Sequence, residues 1–299
     1  MIIVCYNTQQ KSTFWEAPMS KNYSSYHAKG MKVSYGFDEI PDDNQFALHV
    51  HDNYEIHCVT SGKVGYIVEG RIYDLRPGSV VIMRSAETHK LLVQKKDPYE
   101  RYTLNFRPEV LLEHGFPPEI LTAFQDRNLG EHNLYPADSF AGIEPAGIFR
   151  QMFAECELFD PDAVILSNLV ALLYAINTVF LQKKDQPTCY SGEYDVERQL
   201  IDYINVHLLE DISLADISEA IHMSPSQINR IFHNLTGTSV YRYILSKRLV
   251  IAREMIAGGT SAINASQICG FHDYSAFYRL YKKHMGHSPT EAKRKIEQP

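Results

Sequence analysis

The sequence of 299 residues predicts an α+β protein of two domains. A β-barrel followed by helices is expected first, and an all-α domain with two helix-turn-helix motifs is expected after it. Two observations predict this order. Short β-type runs separated by turn residues fill 30–107, and one helical pattern occurs twice near the C-terminus, starting at Met223 and again at His272. The length agrees, at roughly 150 residues per domain.

The N-terminal half is predicted to be built from short strands. The runs 64–68 and 79–83 are rich in β-branched residues and are bounded by turn signals that contain Gly or Pro. Many such strands at regular spacing indicate a sandwich or a barrel. The stretch 108–145 carries several Pro and Gly residues and predicts loops and short helices.

Four segments follow from these patterns. Residues 1–145 are predicted to form the barrel domain, and 146–182 a helical dimerisation segment with helices near 146–158 and 162–182. Residues 183–193 are polar, contain Pro and Gly, and predict a linker. Seven helices within 194–299 would complete the second domain.

Each copy of the repeated pattern has the features of a capped helix. The first begins at the N-cap residue Ser224 and the second at Asp273, whose side chains can accept a backbone N–H. Gly237 and Gly286 follow, and glycine suits a left-handed helix end. A short helix precedes each copy across a tight turn, which is the form of a helix-turn-helix. The residues expected in the core of these motifs are Ile228, Phe232, Phe277 and Tyr281.

The connection between the two motifs indicates how they could be used together. A helical pattern over 241–256 joins them and would span roughly 24 Å at about 1.5 Å per residue. With the widths of the two motifs added, their second helices could lie near the ~34 Å of one DNA turn. The sequence therefore predicts a protein that reads two successive major grooves.

The net charge of −7 is unusual for a protein that binds DNA, but its distribution is uneven. The stretch 241–299 has ten Lys or Arg and four Asp or Glu, whereas 190–240 has two and eight. Because neutralisation of phosphates drives DNA affinity, the second motif and the connecting helix should contribute most of the nonspecific attraction.

Cysteine usage excludes two classes of small stabilised domain. The five cysteines are odd in number and far apart, and no C-x-x-C pair occurs, so neither a zinc ribbon nor a disulfide framework is indicated. A reducing cytoplasm is the expected setting. The N-terminus also lacks the basic start and the apolar core of a signal peptide.

One segment is long enough to span a membrane. Residues 163–181 carry no charge, although Ser, Asn and Thr interrupt them. The spacing of the apolar residues is that of a coiled-coil seam, which predicts a buried or dimerising helix instead. The seam consists of Ile165, Leu169, Leu172, Ile176 and Val179.

The stretch 270–289 closely resembles the signature of AraC/XylS-type transcription regulators. Residues 214–220 and 224–237 resemble the first helix-turn-helix of the same family. The resemblance covers about 100 residues, and it departs from the family pattern at Ala265-Ser266 and Ala292-Lys293. Those departures affect helix packing and one terminal contact, so the expected DNA binding stands.

The N-terminal half resembles the cupin-type effector domain found in many of these regulators. The matching residues are His49, His51, Glu55, Gly62, Pro77, Gly78 and His89. The resemblance implies that His49, His51, Glu55 and His89 line a barrel interior and bind a small organic effector, such as a sugar. Arg84 could join them, since guanidinium suits carboxylates and hydroxyls. In metal cupins the same set holds a divalent metal, and that alternative stays open, although no cofactor is expected.

The resemblance also implies which side chains face DNA. Carried over by position, Ser226, Gln227, Asn229 and Arg230 belong to the first reading helix, and Tyr274, Ser275, Ala276 and Arg279 to the second. Arg pairs with guanine, and Gln or Asn with adenine. The side chains expected to contact phosphates, or to be solvated charges, are His233, Arg248, Lys282 and Lys283.

The function implied is that of an effector-responsive, sequence-specific DNA-binding transcription regulator. We expect an activator of genes for the use of carbohydrates or other metabolites, with no catalytic activity and no membrane association. The expected partners are double-stranded DNA, a small-molecule effector, a second copy of the chain in a homodimer, and RNA polymerase. The alternative is a metal-dependent cupin enzyme fused to a DNA-binding domain.

Overall fold

The computed structural model describes residues 22–42, 46, 48–93, 97–186 and 196–291. Within these residues the N-terminal half contains nine strands: β1 (Asn22–Ala28), β2 (Met31–Asp38), β3 (Tyr54–Ser61), β4 (Val64–Val68), β5 (Arg71–Leu75), β6 (Val80–Met83), β7 (His89–Val93), β8 (Tyr99–Phe106) and β9 (Leu134–Tyr135). Six of them form one antiparallel sheet in the order β1-β2-β8-β3-β6-β9, and the other three form a second sheet in the order β5-β4-β7. The predicted β region of 30–107 was too short, because β1 precedes it and β9 follows it.

The larger sheet is covered on both faces, which sets where a site can lie. Along β3, Ile56 and Cys58 pack in one core with the helices, whereas Val59 packs in another core with the smaller sheet. The run from Tyr54 to Val59 is therefore buried at every position. Glu55 and His57 alternate with the helix-facing side chains and so face the space between the two sheets.

Helices close the outer face of the larger sheet. They are α1 (Glu109–Glu113), α2 (Thr122–Gln125), α3 (Pro145–Cys156) and α4 (Pro161–Lys183), with 3-10 turns at Pro118–Leu121 and Ala137–Phe140. The short helices lie in the stretch predicted as loops and short helices. Cys58 and Cys156 lie buried as free thiols in this half, and Cys269 does so in the other half.

Helix α4 is the one helix among the described residues that is long and apolar enough to cross a membrane. Within its 18-residue apolar window, 61% is buried inside the molecule. The predicted seam residues of α4 all pack in the core of their own chain. The seam is therefore intramolecular, and its spacing alone could not distinguish a core contact from a contact between two chains.

The C-terminal half is helical. Its helices are α5 (Val196–Val206), α6 (Leu214–Ile221), α7 (Pro225–Thr236), α8 (Val240–Ala257), α9 (Ala262–Ile268) and α10 (Tyr274–Met285). A further helix begins at Pro289, so the seventh predicted helix falls mostly beyond the described residues, as does Ala292-Lys293. The predicted linker also falls largely on residues 187–195, outside the described part.

Two cores support the two helix-turn-helix motifs. Ile228 and Phe232 lie in the first core, with α5 and the start of α8, and Phe277 and Tyr281 lie in the second, with the end of α8. All four side chains are fully buried, as predicted. Helix α8 contributes to both cores, so it joins the motifs physically.

The two halves of the chain are in contact. The Glu69 carboxylate, in the turn between β4 and β5, accepts a hydrogen bond from Lys247 Nζ of α8 at 2.7 Å, and both side chains are fully buried. Arg71 Nη1 donates to Asp202 Oδ1 of α5 at 3.1 Å. Charged side chains at and beside the β4–β5 turn of the barrel therefore bind the helical half through hydrogen bonds and ion pairs.

Candidate DNA-binding and effector sites

Each reading helix begins and ends as its sequence dictates. The Ser224 hydroxyl accepts from the backbone N–H of Gln227, and the Asp273 carboxylate accepts from that of Ser275. Gly237 and Gly286 end the helices with φ angles of 73° and 76°, which favour glycine. The N-cap residues and the terminal glycines therefore predicted correctly where α7 and α10 begin and end.

The two reading helices leave a polar face open. The exposed side chains among the predicted DNA contacts are Ser226, Gln227, Arg230, His233, Ser275, Arg279, Lys282 and Lys283, whereas Asn229, Tyr274 and Ala276 are half-buried. Arg230 and Arg279 occupy corresponding positions, two residues before the buried Phe232 and Tyr281. Both motifs thus present an arginine on the face opposite their cores.

Gln227 also stabilises the start of its own helix, a role that its position in the motif did not reveal. Its side-chain oxygen accepts hydrogen bonds from the backbone N–H and the hydroxyl of Ser224, at 3.1 and 2.7 Å. This is a capping box, which satisfies N–H groups at the start of α7. A bidentate contact to adenine would need the same oxygen, so Gln227 serves the helix end in this structure.

Arg248 was expected to contact phosphate or solvent, and that prediction was wrong. Its side chain is buried and donates to the main-chain carbonyl oxygens of Leu208, Glu210 and Gly270. The guanidinium thus ties α8 to the loop after α5 and to the turn before α10. Its charge indicated a solvated position, but the sequence could not show that distant loops cover that side of α8.

Three predicted effector residues meet at one end of the space between the sheets. His49 pairs with His89 through an isolated β-bridge, and the ring centroids of His49 and His51 lie 4.2 and 4.9 Å from that of His89. One nitrogen from each ring lies within 4.8 Å of the other two. Glu55 joins them, with its Oε2 3.1 Å from His51 Nε2.

Hydrogen bonds fix how two of these rings present their nitrogens. Nδ1 of His89 lies 2.9 Å from the carbonyl oxygen of Glu87, and Nδ1 of His51 lies 2.8 Å from that of Asn53. Since a carbonyl only accepts, both Nδ1 atoms carry a proton, and a lone pair is left on Nε2 of a neutral ring. Nε2 of the fully buried His89 has no hydrogen-bond partner among the described residues.

The charge states in the cluster differ from ring to ring. Burial and the neighbouring His49 lower the pKa of His89 well below its usual value. Burial is the largest influence on His51 and opposes its charge, but the hydrogen bond to Glu55, the charges of Glu55 and Asp52 and the backbone of Asn53 together outweigh it and raise the pKa of His51. Burial alone would raise the pKa of Glu55, yet the hydrogen bond to His51 and the nearby rings of His89 and His57 together hold it well below its usual range. The cluster therefore combines a ring that burial keeps neutral, His89, with a carboxylate and a second ring, Glu55 and His51, that share a hydrogen bond.

This donor set fits a divalent transition metal. Imidazole nitrogen binds Zn²⁺ at about 2.0–2.1 Å, so two such ligands lie at most about 4.2 Å apart. The nitrogens of His49, His51 and His89 are within 4.8 Å, and small ring rotations would bring them into that range. A cation could also replace the proton between His51 and Glu55. A metal here would act as a Lewis acid for a bound oxygen ligand.

The polar surface extends deeper between the sheets than the sequence motif indicated. Glu55 accepts from Asn105 Nδ2 at 2.7 Å, and His57 lies 2.8 Å from the Tyr99 hydroxyl and 3.1 Å from that of Thr103. Burial lowers the pKa of His57 to about 4, so this ring is neutral near pH 7. Sequence reasoning missed these groups, although the period-2 alternation from Glu55 to His57 was a usable signal.

Arg84 does not point to this cluster. Its Nη1 donates to the main-chain oxygens of Phe124 and Gln125, each at 3.3 Å. The structure thus brings four of the five predicted effector residues together and directs the fifth to helix α2. Arg84 immediately follows β6, and a short strand end does not specify which way the next side chain points.

A two-sheet domain with a polar interior, joined to a pair of helix-turn-helix motifs with open reading faces, defines an effector-binding transcription regulator. The family models agree. Residues 32–158 match the AraC-like ligand binding domain, and residues 217–295 match a helix-turn-helix domain. The chain belongs to the AraC-type transcription regulators.

Individual relatives extend over most of the chain. It is 24% identical over 281 residues to the HTH-type transcriptional activator RhaS of Escherichia fergusonii, covering 91% of this chain and 96% of that one. It is 23% identical over 247 residues to the HTH-type transcriptional activator RhaR of Mannheimia succiniciproducens, covering 82% and 86%. A crystal structure of ToxT from Vibrio cholerae is similar at 11% identity and a TM-score of 0.38, covering 90% and 99%.

Proposed function

We propose that this regulator reads two successive major grooves with α7 and α10 and responds to an effector bound between its two sheets. The observation that carries the DNA-binding part is the matched exposure of Arg230 and Arg279 on helices whose opposite faces are buried. Two similar relatives are named transcriptional activators, which supports activation as the direction of regulation. Activation implies contact with RNA polymerase and a cytoplasmic location.

We further propose a homodimer formed through the helices of 146–182. Because the predicted seam of α4 is buried in its own chain, the contact must use the outer face of α4. Tyr174 and Leu181 lie on that face, seven residues apart, and are more than half exposed. Leu158 and Phe159, in the turn between α3 and α4, are also exposed. These apolar groups support a surface for a second copy of the chain.

Arg279→Ala is expected to weaken binding to the preferred DNA sequence by about 1–3 kcal/mol and to relax preference at one base position. The reason is that a bidentate contact from arginine to guanine discriminates among bases. The measurement is the Kd of the full chain for a sequence selected from a random DNA library, and for all single-base variants of that sequence.

Lys282→Ala is the matched control, because Lys282 is exposed on the same helix. If Lys282 contacts phosphate, its loss weakens binding to every sequence alike and lowers the slope of log K against log salt by about 0.9. If Arg279→Ala gives that same uniform loss, Arg279 does not read a base. If the wild-type chain selects no sequence at all, the proposed function is wrong.

The effector is proposed to be a small polar molecule, held by the hydroxyl, amide and imidazole groups between the sheets. A second candidate is a divalent metal ion, favoured by the buried Nε2 of His89, which has no partner among the described residues. Either effector serves regulation, and the relatives named above are regulators, so we propose no catalytic reaction. The metal-dependent enzyme is thus the weaker interpretation.

If the metal is the effector, the purified chain will bind one Zn²⁺ or Co²⁺ ion, and His89→Ala will lower that affinity by at least about 10-fold, since even outer groups of a metal site contribute that much. Isothermal titration measures the affinity, and the Co²⁺ absorption spectrum reports nitrogen ligands. His27→Ala, an exposed histidine of β1, should leave both unchanged. Equal affinity in the two variants would exclude the cluster as a metal site and leave the small polar molecule.

A further inference from the structure

One short segment of the barrel faces both the effector site and the DNA-binding half. The backbone N–H and carbonyl groups of His49 exchange two hydrogen bonds of 3.0 Å with His89, which ties the segment 48–52 to β7. The rings of His49 and His51 lie against His89 in the cluster between the sheets. Leu48 and Asp52, which flank them, contact the helical half.

Leu48 reaches the first helix-turn-helix motif. Its side chain is 7% exposed, and it packs in the same core as Ile201 of α5 and Phe232 of α7. A barrel residue is thus part of the core that holds the first reading helix. Because such cores are close-packed, a displacement of Leu48 cannot be absorbed without a movement of its neighbours.

Asp52 reaches the helix that joins the two motifs. Its Oδ2 accepts from Arg253 Nε of α8 at 2.8 Å, and its main-chain oxygen accepts from Nη1 of the same arginine at 3.4 Å. A hydrogen bond to a charged group depends strongly on geometry, so this contact responds to small movements.

We propose that residues 48–52 are the element that transmits effector occupancy to the DNA-binding half. This inference rests on the proposed function and adds the route of its regulation. An occupant that moves His49 or His51 also moves Leu48 and Asp52, because Leu48 and Asp52 are their immediate neighbours in the chain. The first contact acts on the core of α7, and the second acts on α8. The Glu69–Lys247 pair holds the rest of the interface in place, so the segment 48–52 moves relative to it.

The test uses the reciprocity of linked sites: if the histidines affect α8, then α8 affects the histidines. Arg253→Ala, in the full chain, removes the partner of Asp52 without touching a histidine. We expect it to shift the imidazole NMR signals of His49 and His51, while Arg242→Ala, exposed on the same helix, leaves them at their wild-type positions. If both variants leave the signals unchanged, or if both shift them equally, the route through Asp52 is wrong.

A second arm measures the effect on DNA. Replacing His49 and His51 together by Ala should change the Kd for the selected DNA sequence by about fivefold or more. In a chain that already carries Leu48→Ala and Asp52→Asn, the same replacement should change it by less than about twofold. An equal change in both backgrounds would overturn the proposal. Since the wild-type Kd is measured alongside, loss of this coupling is distinguishable from failure of DNA binding itself.

Discussion

Glu87→Gln is expected to destabilise the N-terminal half by about 3–5 kcal/mol, because it removes one partner of a fully buried ion pair. The Glu87 carboxylate accepts from Arg127 Nη1 and Nη2 at 2.6 and 2.7 Å, and from the backbone N–H groups of Arg84 and Gly130 at 2.9 Å each. A neutral amide would leave the Arg127 charge buried and uncompensated. The measurement is urea unfolding followed by far-UV circular dichroism.

The same pair gives this half a pH dependence. Burial alone would raise the pKa of Glu87, but Arg127 and the backbone donors outweigh burial and lower it. Because the folded-state pKa lies below the unfolded value of about 4.3, the stabilisation is fully present above pH 4.3 and is lost as the pH falls through the folded-state pKa. The Glu87→Gln variant should lose that part of the acid sensitivity.

An exposed pair in the same half serves as the control. Arg150 Nη2 donates to Glu144 Oε1 at 2.7 Å, but both side chains are more than half exposed. Glu144→Gln should therefore change the free energy of unfolding by less than about 1 kcal/mol. If the two variants lose the same free energy of unfolding, burial does not explain how much the Glu87–Arg127 pair stabilises this half.

Lys247→Met is expected to cost about 3–5 kcal/mol of the free energy that holds the two halves together. Lys247 Nζ donates to Glu69 Oε2 and to Asn205 Oδ1, each at 2.7 Å, and Asn205 Nδ2 donates to the same carboxylate. Without the ammonium group, Glu69 remains as a buried charge with too few partners. Small-angle scattering should show a larger radius of gyration, and urea should unfold the C-terminal half earlier.

The double variant Glu69→Leu and Lys247→Met separates charge from packing. Replacing both partners of a buried pair by apolar groups is often neutral or stabilising, so the double variant should recover part of the loss. If it unfolds as early as Lys247→Met alone, the single loss reflects altered packing and not an unpaired carboxylate. Asn205 and Thr88 donate to Glu69 and lose that acceptor in the double variant, so its recovery is expected to be incomplete.

The correct predictions concern features that neighbouring residues decide. Ser224 and Asp273 cap helices because their side chains reach a backbone N–H two or three positions further on. Gly237 ends α7 because it adopts a left-handed angle without strain. The histidines of the cluster were also predictable as a group, since a His-x-His pair on one strand places both rings on the same face.

The wrong or missing predictions concern the surroundings of a side chain. The charge of Arg248 indicated an exposed position, yet distant loops supply three carbonyl acceptors and bury it. Lys247 is adjacent to it and is buried against Glu69, 178 positions away in the chain. The spacing of Ile165 to Val179 in α4 predicted a buried or dimerising helix, and only the structure shows that these residues pack in the core of their own chain.

The sequence by itself determined two capped reading helices, a connecting helix, a β-rich first half and a histidine cluster, because periodicity, caps and turn residues act over a few positions. Only the tertiary structure decided that Leu48 and Asp52 reach the DNA-binding half, that Lys247 and Arg248 are buried, and that the seam of α4 packs within its own chain. Those contacts join residues far apart in sequence. Burial and pairing are set by what the rest of the chain places around a side chain, and local pattern does not contain that information.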